Sequence, residues 1–121
     1  MSAQDPSSIH LDFSYLRDVA QGDAAQERQI LQMVVEELAD RPPLLQQSCA
    51  QRNWPQIVWH AHHFKNTLFF VGDKTLETLN NQLLDTARRA LDAESSALDS
   101  LLIQIVERSR QTRLVLLQLL G

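Results

Sequence analysis

The sequence contains little glycine, proline or cysteine: its 121 residues include 3 Gly, 4 Pro and 1 Cys. Few glycines disfavour hairpin-rich β architectures, whose tight turns need residues that tolerate positive φ angles. Gly22, Gly72 and Gly121 lie too far apart to form a glycine-rich phosphate-binding loop. The single Cys49 can form neither an internal disulfide nor a multi-thiolate metal site, and we expect it to be buried as a small apolar residue.

Long apolar runs and an excess of positive charge are also absent. The longest apolar run, Leu114–Leu117, falls far short of the roughly 20 residues that span a membrane. The net charge of −4 argues against a nucleic-acid-binding surface. Residues 1–8 have neither the basic nor the apolar region of a secretory signal. We therefore expect a cytoplasmic protein that binds neither membranes nor nucleic acid.

The chain has enough apolar residues for one core, since 44% are apolar and 21% are charged. This length and composition predict a single domain over residues 9–121, preceded by a disordered polar lead over residues 1–8. Within the domain, apolar residues recur at spacings of three and four, which predicts helices.

The first predicted helix is short, with Asp12 or Ser14 as its N-cap and its end at Ala20. The second helix begins at Asp23. Pro42-Pro43 lies inside its apolar pattern, which resumes beyond the two prolines, so we expect one long kinked helix.

Asn53 is the predicted N-cap of the third helix, with Pro55 in its first turn. Gly72 ends this helix and Asp73 caps the fourth. The apolar stripe of the third helix has a regular four–three spacing and comprises Ile57, Ala61, Phe64, Leu68 and Val71.

The fourth helix carries apolar residues as far as Leu91, and a fifth follows residues 92–96 and continues to Leu120. Four long amphipathic helices joined by short loops pack as antiparallel neighbours. The predicted fold class is therefore all-α: an antiparallel up-down four-helix bundle, with the short N-terminal helix covering one end.

Three of the four histidines and one of the two lysines lie in the third helix, in the segment Trp59-His60-Ala61-His62-His63-Phe64-Lys65-Asn66. At about 100° per residue, His62 points away from the buried stripe into solvent, and Lys65 lies one turn further on. His63 points outward on the other side. His60 lies at the opposite margin and is expected to be half-buried.

Aromatic residues surround this segment. Trp59 and Phe70 are expected to face outward, with Phe69 close to His62. A solvent-exposed neutral imidazole can act as a nucleophile towards an activated phosphoryl group, and a lysine one turn away can hold the phosphate oxygens as a point charge. Exposed aromatic rings around such a group suit the docking of a partner protein.

Other interpretations of these residues stay open. An exposed histidine is most often an ordinary surface residue, and the aromatic rings can instead pack against neighbouring helices. A zinc site at His60 and His63 is a third interpretation, although acidic partners at matching spacing are missing from this helix.

The same segment resembles the core motif of histidine-containing phosphotransfer (HPt) domains, which act in bacterial and fungal phosphorelays. That motif is Ala-His-x-apolar-Lys-Gly, with a glycine ten positions after the histidine. Here Ala61-His62-His63-Phe64-Lys65-Asn66-Thr67 is followed by Gly72. Three leucines match the family's apolar positions in the next helix: Leu76, Leu79 and Leu83. The resemblance covers residues 9–92 and extends to the last helix only by pattern.

The resemblance implies that His62 accepts the phosphoryl group and that Lys65 stabilises the phosphohistidine. Arg88, which follows the same histidine by 26 residues, lies where some family members have an arginine facing this site. The chain would be a phosphocarrier without kinase activity of its own. Its partners would be response-regulator receiver domains and a hybrid sensor histidine kinase. It would need no cofactor of its own, because Mg²⁺ is expected on the receiver domain.

Two positions depart from the family pattern. Asn66 replaces the glycine that follows the lysine, which narrows the partner's approach but brings an amide near the phosphate. Leu84 stands where many members have the Gln or Glu that orients the imidazole. Asn80 or Asn81, about one turn earlier, would have to supply that amide instead.

We expect partners to dock on a surface with an apolar centre and a polar rim. The centre comprises Val58, Trp59, Phe69 and Phe70, and the rim comprises His63, Asn66, Lys74 and Arg88. Two alternatives accompany this interpretation. The chain could be a catalytically silent helical adaptor, and it could form a dimer through Leu114–Leu120 instead of the expected monomer.

Overall fold

The computed structural model describes residues 9–89 and 95–121, which fold into five α-helices. These are α1 (Ser14–Ala20), α2 (Ala24–Ala50), α3 (Trp54–Leu68), α4 (Lys74–Arg89) and α5 (Ser95–Leu120). The described residues contain no β-strand, so the all-α prediction is confirmed. The predicted polar lead over residues 1–8 and the predicted apolar position Leu91 lie outside the described residues.

The four long helices form a closed ring in chain order. Each of α2, α3 and α4 packs against the next helix, and α5 returns to pack against α2. Across the described part of the chain, the main chains of the diagonal pairs α2–α4 and α3–α5 do not approach each other closely. The short linkers at residues 51–53 and 69–73 make successive helices antiparallel. This is the predicted up-down bundle, with α1 packed on α2.

The predicted caps Asn53 and Asp73 are confirmed, and Asp23, where the second helix was predicted to begin, is the N-cap of α2. The side-chain oxygens of Asp23, Asn53 and Asp73 accept hydrogen bonds from main-chain amides two or three residues further on. Such oxygens satisfy amides that have no partner within the first turn of a helix. Local sequence therefore determines where α2, α3 and α4 begin.

The beginnings of α1 and α5 differ from the prediction. Ser14 is the first residue of α1, and Phe13 occupies the N-cap without a side-chain hydrogen bond. Asp12 lies one residue earlier, and its carboxylate accepts from both the amide (2.9 Å) and the hydroxyl (2.6 Å) of Ser14. Helix α5 begins at Ser95, inside the predicted loop over residues 92–96.

Helix α2 continues through both prolines as one element, as predicted. Pro42 is buried and Pro43 is exposed, and the apolar pattern resumes with the buried Leu45 and Cys49. Burial raises the pKa of the Cys49 thiol to about 11, so this thiol stays protonated at neutral pH. The cysteine is the small apolar core residue that the sequence predicted.

The predicted apolar stripe lies at the centre of the core, although α3 ends at Leu68 and not at the predicted Gly72, so that Val71 follows the helix. All five of its predicted residues have 0% exposure: Ile57, Ala61, Phe64, Leu68 and Val71. They pack among buried leucines and valines of α2, α4 and α5. Burial of this stripe sets the rotation of α3 about its own axis, and therefore determines which of its residues face solvent.

The corner between α3 and α4 is joined to α5 by a buried ion pair. Asp73 has 0% exposure, and its carboxylate accepts from Arg108 Nε (3.0 Å) and Nη2 (2.9 Å). The hydroxyl of Thr112 donates to the same carboxylate at 2.6 Å. Because Asp73 also caps α4, one carboxylate connects the beginning of α4 to α5.

Gly72 closes the same corner against the N-terminal segment. Its φ angle is +61°, and a Cβ atom added there would lie 2.5 Å from the main-chain oxygen of Asp12. The amide of Asp12 donates to the carbonyl of Val71 at 2.9 Å, which holds the two segments together. A side chain at position 72 would separate them.

The C-terminal half of α5 carries several exposed leucines: Leu114, Leu117 and Leu119. Leu116 between them has 0% exposure. The surface that the alternative dimer requires is therefore available, and the oligomeric state stays a prediction.

We expect Gly72→Ala to destabilise the fold more than Gly22→Ala. Both glycines have positive φ angles, so each alanine adds backbone strain of about 1–2 kcal/mol. Position 22 has open space around it, whereas position 72 meets Asp12, which adds about 1–3 kcal/mol of overpacking. Urea unfolding of the two variants measures the difference. Equal losses would show that the corner does not depend on this close approach.

Candidate functional site

The residues of α3 opposite its buried stripe form one exposed surface, which we call the α3 face. Its members are Trp59, His62, His63, Lys65, Asn66 and, just beyond the helix end, Phe69. Lys65 is half-buried and the other five are exposed. The predicted orientations of His62 and His63 towards solvent are confirmed.

His60 is half-buried at the edge of α3, as predicted, and faces α2. Its Nδ1 lies 2.6 Å from Nη1 of Arg41. Arg41 also binds the carboxylate of Glu37 through Nε (3.2 Å) and Nη2 (3.0 Å), and the hydroxyl of Thr67 donates to that carboxylate at 3.4 Å. Because arginine can only donate, Nδ1 of His60 accepts, and the ring is neutral with its proton on Nε2. Burial and the adjacent Arg41 both lower the pKa of His60.

The ring of His63 packs against an aromatic side chain. Its ring centroid lies 4.1 Å from that of Trp59, four residues earlier on the helix. The guanidinium of Arg41 lies 5.5 Å from the centroid of the same indole. Trp59 thus packs against both an imidazole and a cation while its side chain stays 54% exposed.

His62 differs from both neighbouring histidines. It is exposed, and its ring lies edge-on at 6.5 Å from that of His63. Among the residues that the structure describes, none forms a hydrogen bond or an ion pair with its side chain. His62 and His63 are both exposed, and of these two rings His62 is the one that lacks a close contact with the Trp59 indole.

Lys65 follows His62 by three residues, so the two side chains are neighbours on the helix surface. It lies in the last turn of α3, where the carbonyl ends of the helix favour a positive charge. An imidazole and an ammonium group next to each other can serve as a nucleophile and as a cation that binds the transferred anion.

The predicted apolar centre is smaller in the structure than in the sequence analysis. Val58 and Phe70 are half-buried and pack against the core, so the outward orientation expected for Phe70 is wrong. Helix α3 ends at Leu68, and the angle of 100° per residue no longer applies beyond it. Trp59 and Phe69 are the predicted apolar residues that remain exposed, at 54% and 42%.

Tyr15 of α1 joins this surface, although the sequence analysis did not single it out. Its ring centroid lies 6.4 Å from that of Phe69 and 5.2 Å from that of Phe70. A surface pocket of about 390 Å³ lies between Tyr15, Phe69 and Lys74, so the structure brings two predicted docking residues together. Lys74 is exposed there, and its Nζ lies 3.8 Å from Oε2 of Glu77.

The predicted site residues on α4 separate into buried and exposed groups. Asn80 has 0% exposure, and its Nδ2 donates to the carbonyl of Ala61 at 2.8 Å, which is a main-chain contact and not one with an imidazole. Leu84 is also buried, so its position offers the site no polar group. Asn81 and Arg88 are exposed on α4.

The sequence analysis did not single out Arg41, which contacts His60, or Glu37, which binds Arg41. Glu37 and Arg41 are four residues apart on α2, a spacing that favours an ion pair and was visible in the sequence. Their contact with α3 has no such local signal, because Arg41 and His60 are 19 residues apart.

The described residues contain no group of three or more His, Cys, Asp or Glu side chains that could hold a metal ion. No helix within residues 9–89 and 95–121 combines the length and the apolarity that crossing a membrane requires.

The fold is similar to that of a solved phosphotransfer protein. The crystal structure of histidine-containing phosphotransfer protein B (HptB) from Pseudomonas aeruginosa PAO1 matches with a TM-score of 0.78 and 20% sequence identity. The match covers 93% of this chain and 96% of HptB. No family model matches the chain, and no curated protein matches it in sequence. The chain therefore shares the helical bundle fold of HptB.

We expect the stability of the protein to fall through His60 as the pH drops below about 6.5. Its pKa is lowered on folding, so the unfolded chain binds this proton more readily than the folded protein. The stability that neutral His60 contributes is complete above the ordinary imidazole pKa of about 6.5. It is lost as the pH falls from there through the lowered pKa of the folded state.

Urea unfolding at several pH values measures this effect in the native protein and in His60→Gln. The glutamine does not titrate, so the variant should lose less stability than the native protein over this interval. His10→Gln, which changes an exposed histidine, is the matched control and should keep the native pH dependence. A native pH dependence in His60→Gln would contradict the assignment.

Proposed function

We propose that this chain is a histidine phosphocarrier of a two-component phosphorelay. His62 accepts a phosphoryl group from the aspartyl phosphate of one receiver domain and passes it to the aspartate of another. The observation that carries the proposal is the difference among the three imidazoles of α3: His60 is hydrogen-bonded to Arg41, His63 packs on Trp59, and His62 is exposed without either contact. The fold shared with HptB supports it.

The reaction requires little from the carrier beyond a nucleophile and a cation. The unprotonated Nε2 of His62 attacks phosphorus in line as the P–O bond to the aspartate breaks. The carboxylate leaves with the electron pair of that bond, and the imidazole keeps its proton on Nδ1, so that a phosphoimidazolium results. The reverse reaction with a second receiver domain restores the neutral ring. The carrier thus ends unchanged and acts without kinase activity of its own.

Lys65 binds the oxygens of the phosphoryl group while it resides on His62. Its ammonium group offsets part of the added negative charge from one turn further along the same face. Mg²⁺ belongs to the receiver domain in this proposal, since the carrier supplies an imidazole and an ammonium group at the site. Arg88 on the exposed side of α4 contributes further positive charge to the rim.

Receiver domains dock on the α3 face and the adjoining corner. The exposed rings of Trp59 and Phe69 form its apolar contacts, and Tyr15 extends them on α1. Lys74 lines the pocket beside Phe69 and adds a positive charge at the rim. A surface with exposed aromatic rings and a polar border is typical of a protein–protein interface. A hybrid sensor histidine kinase would present one of these receiver domains.

We expect phosphoryl transfer from phosphorylated receiver domains to depend on His62 alone among the three imidazoles. The native chain should acquire an acid-labile, base-stable phosphate, and His62→Gln should acquire none. His60→Gln and His63→Gln are matched controls that should keep the label. The three variants and the native chain are compared with a panel of labelled receiver domains.

Each alternative gives a different result in that comparison. A label that persists in His62→Gln and disappears in His63→Gln would assign the phosphate to the neighbouring ring. A chain that binds a receiver domain without acquiring any label would be the silent adaptor, and the phosphocarrier proposal would then be wrong.

We expect Lys65→Ala to shorten the lifetime of the phosphohistidine without unfolding the bundle. Loss of this half-buried charge next to the phosphate should accelerate hydrolysis about fivefold, equivalent to about 1 kcal/mol. Release of phosphate from the isolated, labelled protein measures the rate without any partner. Lys74→Ala removes the other lysine, on α4, and should leave the rate unchanged. Equal rates in both variants would contradict the role of Lys65.

A further inference from the structure

A fully buried amide connects α4 to the turn of α3 that carries His62. Asn80 has 0% exposure, and its Nδ2 donates to the carbonyl oxygen of Ala61 at 2.8 Å. Ala61 immediately precedes His62 in α3. The contact therefore joins the two helices at the level of the reactive imidazole.

The carbonyl of Ala61 has a second donor within its own helix. In an α-helix the carbonyl of residue 61 accepts from the amide of residue 65, which here is Lys65. A carbonyl oxygen has two lone pairs and can accept both hydrogen bonds. Asn80 thus donates to the same carbonyl oxygen that accepts the hydrogen bond from the amide of Lys65. This second contact constrains the main chain of the turn that carries His62 and Lys65.

Packing alone does not explain an amide at this position. The Oδ1 atom of Asn80 is buried, and within the described residues it has no hydrogen-bond partner. Its neighbours on the core side of α4 are Leu76, Leu83 and Leu84, all buried. A leucine at position 80 would leave no such oxygen without a partner, because the carbonyl of Ala61 would keep its bond within α3. The amide therefore lowers the stability of the core but provides a directional hydrogen bond.

A directional contact restricts a motion that apolar packing permits. Leucines of two packed helices allow small translations along the helix axes, whereas a hydrogen bond of 2.8 Å is weakened by them. In-line phosphoryl transfer between two proteins requires the nucleophile at a fixed place relative to the docking surface. That surface includes the α3 face and the exposed side of α4, whose relative position Asn80 holds.

We propose that Asn80 is a positioning residue for phosphoryl transfer: its hydrogen bond to Ala61 fixes the turn carrying His62 and Lys65 against α4. This role rests on the proposed phosphocarrier function. Asn80 touches neither the phosphoryl group nor the imidazole. Its effect is confined to reactions in which a docked protein must meet His62 in one geometry.

The test compares Asn80→Leu with the native protein and with Thr86→Val. Thr86 also lies on α4, but its hydroxyl donates to the carbonyl of Gln82 within that helix, so its replacement removes a polar group without touching α3. Each protein is phosphorylated by a receiver domain and, separately, by phosphoramidate, a small donor that needs no docking. With phosphoramidate, the P–N bond breaks as His62 attacks phosphorus, and ammonia leaves.

We expect Asn80→Leu to reduce the rate of transfer from the receiver domain about tenfold, since small misplacements of a nucleophile are costly. Its affinity for the receiver domain, its rate with phosphoramidate and its resistance to urea should not fall. Amide hydrogen exchange at Lys65 should accelerate while exchange in α5 stays native. Thr86→Val should match the native protein throughout. Asn80→Ala, which removes the same donor, should reproduce the pattern if the leucine variant does not fold.

The possible failures are distinguishable. Native transfer rates in Asn80→Leu, with a labelled native protein, would overturn the role of Asn80 and leave the phosphocarrier proposal intact. Parallel losses in urea resistance and in both phosphorylation rates would show a merely structural residue and would also overturn it. Absence of label on the native chain from both donors would overturn the phosphocarrier function, and with it a role of Asn80 in transfer.

Discussion

Burial of the α3 stripe is the constraint on which the rest of the site depends. Each fully buried side chain of the size of Leu68 or Phe64 contributes about 1.5–3 kcal/mol, so turning α3 by one residue would expose several of them at a prohibitive cost. The rotation that buries the stripe is the one that turns His62 to solvent. At its C-terminal end the helix is held by the corner in which Asp73 binds Arg108. Core packing and one buried ion pair therefore place His62 at the surface.

Neighbouring helices then give three similar side chains different properties. Arg41 of α2 holds His60 as a neutral acceptor and lowers its pKa further than burial alone. The indole of Trp59 packs against the ring of His63. His62 has neither contact, so the three rings differ in what surrounds each of them. The hydrogen bond from Asn80 reaches the same turn of α3 through the main-chain carbonyl of Ala61.

Features that depend on near neighbours in the chain were predictable from sequence. The caps at Asn53 and Asp73 and the period of the α3 stripe each involve residues a few positions apart, so their signals are local. The contacts of Asp73 with Arg108 and of Asn80 with Ala61 join residues 35 and 19 positions apart. No local pattern specifies such pairs, because they form only when the helices pack. The sequence thus predicted the face that carries the site but not the contacts that hold it.

The central claim is that His62, among three imidazoles within four residues, carries the phosphoryl group. The most direct measurement is a nitrogen-15 NMR spectrum of the unaltered, uniformly labelled chain after phosphorylation by a receiver domain. The account predicts phosphorus coupling at Nε2 of His62, with the resonances of His60 and His63 showing none. Phosphorus coupling at either of those rings, or phosphate on a residue other than histidine, would contradict it.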